Sequence, residues 1–160
     1  MLYLIRHSHA GNKRTWKGPD AMRPLSERGL RESSGLASLL SGYPIDRVRS
    51  SPTARCLETV RPLAAALGVE VTEDAGLAVG SSVDDLMVVL GGPDADGLAL
   101  CTHGELISEV FDRLGAMGLT VEGLPRDESP RWQKGSVWLL DGIAEGSPTG
   151  RYLAPVQEPV

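Results

Sequence analysis

Apolar residues follow two different periods along this chain, and each change of period marks a predicted element. Short apolar runs bounded by polar or turn residues predict strands at 2–5, 45–51, 69–74, 97–103, 135–141 and 151–156. Stretches with apolar residues three and four positions apart predict helices within 24–42, 51–68, 82–92 and 104–118. The segment 119–134 is rich in proline and charge, and it is predicted to be irregular.

The second helical stretch carries clear end signals. Ser51 is its predicted N-cap, Pro52 takes the first helical position, and Gly68 ends it. Pro62 lies inside this stretch, which predicts a kink or a break near Arg61. The first and third helices begin at the predicted caps Ser26 and Ser82.

Strands and helices alternate along the chain, and the strands are almost continuously apolar. This order predicts an α/β fold in which a mostly parallel sheet lies between two layers of helices, a three-layer α/β/α arrangement. The length of 160 residues fits a single domain over 1–160. In such sheets ligands bind beyond the carboxyl ends of the strands, so chemistry is expected there.

Composition narrows the possible partners. The net charge is -5 with acids and bases interspersed, which argues against a nucleic-acid or membrane-surface partner. The cysteines, Cys56 and Cys101, are too few for a disulfide framework and are expected to be buried. The first apolar run ends at Arg6 and is too short for a signal peptide or a membrane span, so a cytoplasmic protein is expected.

Arginines and histidines stand at or just past three predicted strand ends. Arg6 and His7 follow the first strand, Arg55 lies in the first turn of the helix after the second, and His103 lies just past the apolar residues 98–101 of the fourth. If these strands are neighbours, the four side chains converge on one crevice. Guanidiniums bind tetrahedral oxyanions, an unprotonated imidazole attacks phosphorus, and a protonated one stabilises the added charge. Because the cations are already side chains, no metal and no cofactor are predicted.

The residues that carry this chemistry form a recognisable series. "RH" at 6–7, "PLSERG" at 24–29, "SSPTAR" at 50–55 and "THGE" at 102–105 stand in an order that resembles the histidine phosphatase superfamily, with its phosphoglycerate mutase-like fold. The chain is similar to the short branch, which includes bacterial phosphohistidine phosphatases and the phosphatase domain fused to some Nudix hydrolases. The resemblance implies that His7 is the nucleophile and forms a phosphohistidine, which water hydrolyses. It also implies that Arg6, Arg55 and His103 complete the phosphate pocket.

The chain differs from the family at the position of the proton donor. Many members supply a glutamate from the loop after the third strand, where this chain has Val79, and a valine cannot protonate a leaving oxygen. Glu105, two positions after His103, is the preferred substitute. Asp74 or Glu73 is a second possibility. In a third, no acid acts because the substrate already has a good leaving group.

Other positions carry weaker expectations. Asn12 lies where the family often places a phosphate-contacting residue, His9 is expected at the rim of the cleft, and Trp16 could flank a ring of the substrate. The expected function is a metal-independent phosphatase whose substrate is a phosphorylated small molecule, a nucleotide or a phosphohistidine protein. The alternative is a non-catalytic or weakly catalytic phosphate-binding regulatory module. The sequence carries no signal for the oligomeric state.

Overall fold

The computed structural model describes residues 1–123 and 129–160. Its strands are β1 (Leu2–Arg6), β2 (Arg47–Ser50), β3 (Val71–Glu73), β4 (Leu98–Thr102), β5 (Thr120–Val121), β6 (Val137–Asp141) and β7 (Thr149–Leu153). Its α-helices are α1 (Glu27–Leu40), α2 (Ala54–Leu67), α3 (Val83–Leu90) and α4 (Gly104–Ala116). Two single-turn 3-10 helices span Asp20–Met22 and Ala75–Leu77. None of the helices in the described part of the chain is long and apolar enough to cross a membrane.

The strands form one sheet in the order β3-β2-β4-β1-β6-β7-β5. Strand β6 pairs antiparallel with β1 and with β7, and the other pairs are parallel. The prediction of a mostly parallel sheet is therefore confirmed. The order also places β2, β4 and β1 side by side, which is the condition that the predicted crevice required.

Apolar side chains alternate between the two faces of the sheet. On β1, Leu2 and Leu4 face one core with α3 and α4, whereas Tyr3 and Ile5 face the other core with α1 and α2. Successive side chains of a strand point to opposite faces, so a continuous apolar run fills both cores at once. This arrangement confirms the three-layer α/β/α prediction.

The start of α2 differs from its sequence prediction. Thr53 is the N-cap residue, and the helix begins at Ala54, so Ser51 is not the cap and Pro52 lies before the helix. The Ser51 hydroxyl is bonded to His103 instead. The hydroxyl of Ser51, which the sequence assigned to the start of the helix, is thus used in a contact with a residue distant in the chain.

The break that was one of the two predicted outcomes at Pro62 is wrong, because α2 continues through Pro62. Pro62 removes one backbone donor, but Val60 and Leu63 beside it are fully buried, and their packing outweighs one lost hydrogen bond. The end of the helix agrees with the prediction, since Gly68 terminates it with a φ of 70°.

The late strands are placed differently from the predicted ranges. Strand β7 covers Thr149–Leu153 instead of 151–156, and Pro155 lies beyond it. Gly150 falls inside the strand, where a Cβ would lie 3.2 Å from the Trp138 ring, so glycine gives the closest packing of the strand against that ring. Strand β5 lies inside the segment that was predicted to be irregular, and it pairs with β7. Residues 124–128 of that segment lie outside the described residues.

Candidate active site

The carboxyl ends of β2, β4 and β1 lie next to one another. In the parallel registers Arg6 is opposite Thr102, and Ser50 is opposite Cys101. A residue of the site directly follows each of these strands: His7 follows β1, Ser51 follows β2 and His103 follows β4. The structure thus brings together the residues that the sequence placed at separate strand ends.

His7 is held in one orientation by the strand end. Its backbone N–H donates to the carbonyl of Thr102 at 3.1 Å, and its ring Nδ1 lies 2.8 Å from the carbonyl of Ser8. A carbonyl oxygen only accepts, so Nδ1 carries the proton and Nε2 carries the lone pair. The side chain is 6% exposed.

The same surroundings lower the basicity of His7. Burial, reinforced by the positive charges of His103, Arg55 and Arg6, lowers its pKa to about 3, against the opposing hydrogen bond to Ser8. The imidazole is therefore unprotonated at neutral pH. This is the state that a nitrogen nucleophile requires.

His103 lies across the pocket from His7, and its side chain is 1% exposed. The two ring centroids are 5.4 Å apart at an interplanar angle of 62°. Nε2 of His103 lies 2.9 Å from the Ser51 hydroxyl and 3.6 Å from Sγ of Cys56. Its Nδ1 lies 3.5 Å from Nη2 of Arg55, so the Nδ1 side of the ring faces the guanidinium.

Arg55 comes from the first turn of α2 and is 4% exposed. Its Nη1 donates to the backbone carbonyl of Asp20 at 2.9 Å, and its Nη2 donates to Oδ2 of the same residue at 3.1 Å. Its Nε is buried and has no partner among the described residues. A buried donor without a partner is rare in folded proteins and indicates a place for a ligand.

Arg6 also has a buried Nε without a partner among the described residues. Its Nη1 donates to the carbonyl of Trp132 at 2.9 Å. Gly104 makes room for this guanidinium, since a Cβ there would lie 2.8 Å from Cζ of Arg6. The two arginines therefore each keep a free Nε donor, which suits an oxyanion such as phosphate.

Glu105 lies in the first turn of α4, and its side chain is exposed. Burial lowers the pKa of Arg6, and the nearby charge of Glu105 partly offsets this effect, which places the carboxylate on the Arg6 side of the pocket. Of the alternative acids, Asp74 accepts a hydrogen bond from the backbone N–H of Gly76, and Glu73 is exposed at the end of β3. Val79, in the loop beyond them, is 53% exposed.

Asn12 and His9 both lie in the segment between β1 and α1. Oδ1 of Asn12 accepts from the backbone of Arg14 at 2.9 Å in an exposed turn, which gives it a local bonding role. His9 Nδ1 lies 2.7 Å from the hydroxyl of Ser26, the N-cap of α1, so His9 anchors the start of that helix. Trp16 is partly exposed, and its indole N–H donates to the carbonyl of Pro19.

Sequence reasoning missed two groups at the site. Ser51 was assigned to a helix cap, and only the tertiary fold reveals its bond to His103. Asp20 stands in a stretch of sequence without apolar periodicity, and nothing in the local pattern separates it from an ordinary solvated acid. Within the described residues, no cluster of three or more His, Cys, Asp or Glu side chains could hold a metal ion.

Comparison with known proteins extends these observations. The model of the histidine phosphatase superfamily (branch 1) matches residues 2–78, which include Arg6, His7 and Arg55. A curated relative, 8-oxo-(d)GTP phosphatase of Mycolicibacterium smegmatis, is 26% identical over 162 residues, which cover 97% of this chain and 48% of the relative. The chain thus spans about half the length of that relative.

Solved structures share the fold over nearly the whole chain. The protein histidine phosphatase SixA, complexed with tungstate, aligns with a TM-score of 0.72 at 20% identity and covers 98% of this chain and 96% of its own. The mycobacterial glucosyl-3-phosphoglycerate phosphatase, complexed with VO3, gives 0.62 at 16% identity and covers 98% of this chain and 99% of its own. The family match takes in Arg6, His7 and Arg55, and the shared fold extends past His103, so this chain resembles the histidine phosphatase superfamily in the part of its sequence that holds these residues.

Proposed function

We propose that this protein is a metal-independent phosphatase that transfers a phosphoryl group to Nε2 of His7 and then to water. One observation carries the proposal. An unprotonated, buried imidazole directs its lone-pair nitrogen away from the Ser8 carbonyl, and the arginines beside it each keep a buried Nε without a partner among the described residues. This combination provides a nucleophile together with donors for the group it would attack.

In the first step, the lone pair on Nε2 of His7 attacks phosphorus. The bond from phosphorus to the leaving atom breaks, and its electron pair departs with the leaving group, which takes up a proton. Nε of Arg6 and Nε of Arg55 donate to the non-bridging oxygens, where charge accumulates in the transition state. The N-terminus of α4 lies at the same place and adds its dipole.

In the second step, water attacks the phosphorus of phospho-His7. The P–N bond breaks, its electron pair returns to Nε2, and inorganic phosphate leaves with release of a proton. The low pKa of His7 helps here, because a weakly basic imidazole is a good leaving group. Burial of His7 thus makes it a weaker nucleophile in the first step and a better leaving group in the second.

The proposed substrates are phosphorylated compounds with good leaving groups, namely phosphoramidates such as phosphohistidine, and phosphoanhydrides such as nucleotides. Two observations support this class. The loop position that would carry an acid holds Val79, and the side chain of Glu105 is exposed. The names of the relatives point the same way, since one is a protein histidine phosphatase and another an 8-oxo-(d)GTP phosphatase.

The test is trapping of the covalent intermediate. Wild type, His7→Ala and His9→Ala are mixed with radiolabelled acetyl phosphate and with a labelled nucleoside diphosphate, then quenched in alkali, where a phosphoramidate survives. We expect label on wild type and on His9→Ala, because the His9 imidazole is bonded to Ser26. We expect none on His7→Ala, with a matching loss of phosphate release.

Equal phosphate release by wild type and His7→Ala would refute the mechanism. If folded wild type binds tungstate but neither accepts label nor releases phosphate from acetyl phosphate or the nucleoside diphosphate, the phosphate-binding regulatory module becomes the better description. Activity that disappears on chelation would contradict the metal-independent part of the proposal.

A further inference from the structure

Asp20 occupies one edge of the Arg55 guanidinium. A guanidinium presents two edges with paired donors, one formed by Nη1 and Nη2 and the other by Nε and Nη2. The backbone carbonyl of Asp20 accepts from Nη1 at 2.9 Å, and its carboxylate Oδ2 accepts from Nη2 at 3.1 Å. One residue therefore covers the first edge through two separate acceptors.

The second edge of Arg55 remains for a ligand. Its Nε is buried without a partner in the described part of the chain, and its Nη2 lies 3.5 Å from Nδ1 of His103. This edge therefore faces the same space as His103. Because the guanidinium is planar and rigid, holding one edge fixes the direction of the other.

Asp20 is itself held in place. Its Oδ1 accepts from Nε of Arg23 at 3.2 Å, and Nη1 of Arg23 donates to the carbonyl of Ala10 at 2.7 Å. Arg23 is buried, so the chain of contacts from Arg55 through Asp20 ends on a fixed backbone three residues after His7. Burial alone would raise the pKa of Asp20, but the charges of Arg55 and Arg23 outweigh this effect and lower it, which keeps the carboxylate ionised.

We propose that Asp20 is a positioning residue, which holds the Nη1–Nη2 edge of Arg55 so that the Nε–Nη2 edge meets the phosphoryl oxygens. The inference rests on the proposed function, because it assigns Arg55 to phosphate binding. Asp20 acts through Arg55 and does not donate a proton, since its carboxylate is ionised and both oxygens accept from arginines.

Anion binding tests this role separately from turnover. Binding of tungstate and orthovanadate is measured by calorimetry for wild type, Asp20→Ala, Asp20→Asn and Asp20→Glu. A hydrogen bond to a charged group contributes about 1.5–3 kcal/mol, so Asp20→Ala is expected to weaken binding about 10- to 100-fold. Asp20→Asn keeps the shape of the side chain without its charge, so its anion affinity should lie between those of wild type and Asp20→Ala. Asp20→Glu keeps the charge, so its affinity should be higher than that of Asp20→Ala.

Controls separate positioning from folding. Asp84→Asn removes another aspartate–arginine pair, the 2.6 Å contact with Arg113 between α3 and α4, and should leave anion binding unchanged. In the double variant Asp20→Ala/Arg55→Ala, the loss should equal that of Arg55→Ala alone, because Asp20 then has no guanidinium to orient. A purely structural role would instead add its own loss to that of Arg55→Ala.

The results that overturn the inference differ from those that overturn the proposed function. Unchanged tungstate affinity in folded Asp20→Ala, or in Asp20→Asn if the alanine variant does not fold, would reject Asp20 as a positioning residue. Normal phosphate release by His7→Ala would reject the phosphohistidine mechanism whatever the Asp20 variants do.

Discussion

The hydroxyl of Ser51 lies 2.9 Å from Nε2 of His103, so it connects the residue after β2 to the residue after β4. This contact takes one ring nitrogen of His103 and turns the other toward Arg55. Both side chains are buried, which makes the contact independent of competition from water. Ser51 thereby sets the orientation of the imidazole that faces His7.

Replacing Ser51 with alanine should reduce the rate of phosphoenzyme formation. Loss of one buried hydrogen bond costs about 1 kcal/mol, which corresponds to a reduction of about 5-fold in kcat/KM. The measurement is stopped-flow kinetics with acetyl phosphate. Ser33→Ala is the control, since Ser33 is also buried and its hydroxyl donates to the carbonyl of Leu30 within α1. Equal rates in both variants would show that Ser51 does not orient His103.

Gly104 and Gly115 form a matched pair on α4. A Cβ at position 104 would lie 2.8 Å from Cζ of Arg6, whereas position 115 has nothing within 4 Å. Gly104→Ala should displace the flexible Arg6 guanidinium and weaken tungstate binding about 10-fold, which corresponds to one lost charged hydrogen bond. Gly115→Ala should leave binding unchanged and raise helix stability by about 0.5–1 kcal/mol, because alanine favours helices. Tungstate titration and thermal unfolding of both variants test this pair, and unaltered binding by Gly104→Ala would contradict it.

The low pKa of His7 makes the fold sensitive to acid. An unfolded histidine binds a proton as the pH falls through about 6.5, whereas folded His7 binds it only near pH 3. Between these values the unfolded state holds more protons, so the free energy of unfolding decreases as the pH falls. At pH 4.5 this penalty amounts to about 3 kcal/mol relative to pH 8.

His7→Gln removes that penalty. We expect the free energy of unfolding, measured by urea denaturation, to fall less between pH 8 and pH 4.5 in His7→Gln than in wild type. The comparison uses the difference between the two pH values within each protein, so any change in stability at pH 8 cancels. A wild type and a variant with the same pH dependence would mean that His7 titrates normally.

We propose Glu105 as the proton donor for substrates whose leaving group needs one, so its effect should depend on the leaving group. Glu105→Gln should slow hydrolysis of an alkyl phosphate by about 10²-fold or more, as expected for loss of a general acid. Hydrolysis of acetyl phosphate, whose leaving group needs little protonation, should hardly change. Glu109→Gln, which alters an exposed glutamate one turn later on α4, is the control. Equal slowing of both substrates would exclude Glu105 as the acid.

Local pattern predicted the elements that depend on local chemistry. The strand at β1, the caps at Ser26 and Ser82 and the stop at Gly68 are confirmed, because each reflects periodicity, a side-chain oxygen at a helix start or a positive φ. The failure at the start of α2 comes from a contact between residues far apart in the chain. Ser51 reads as a cap by sequence, but a buried imidazole competes for its hydroxyl.

The sequence by itself determined which side chains would stand at the carboxyl ends of the strands, because a buried parallel strand is recognisable from its apolar run and its polar end. The series from Arg6 to His103 also pointed to a resemblance to the histidine phosphatase superfamily, and the comparisons support it with a family match over residues 2–78 and a shared fold over nearly the whole chain. Only the tertiary structure decided which edge of each guanidinium is free, which nitrogen of each histidine faces the pocket and which carboxylate holds Arg55. These outcomes depend on contacts between residues far apart in the chain, such as Asp20 with Arg55 and Arg6 with Trp132, and no local period encodes them.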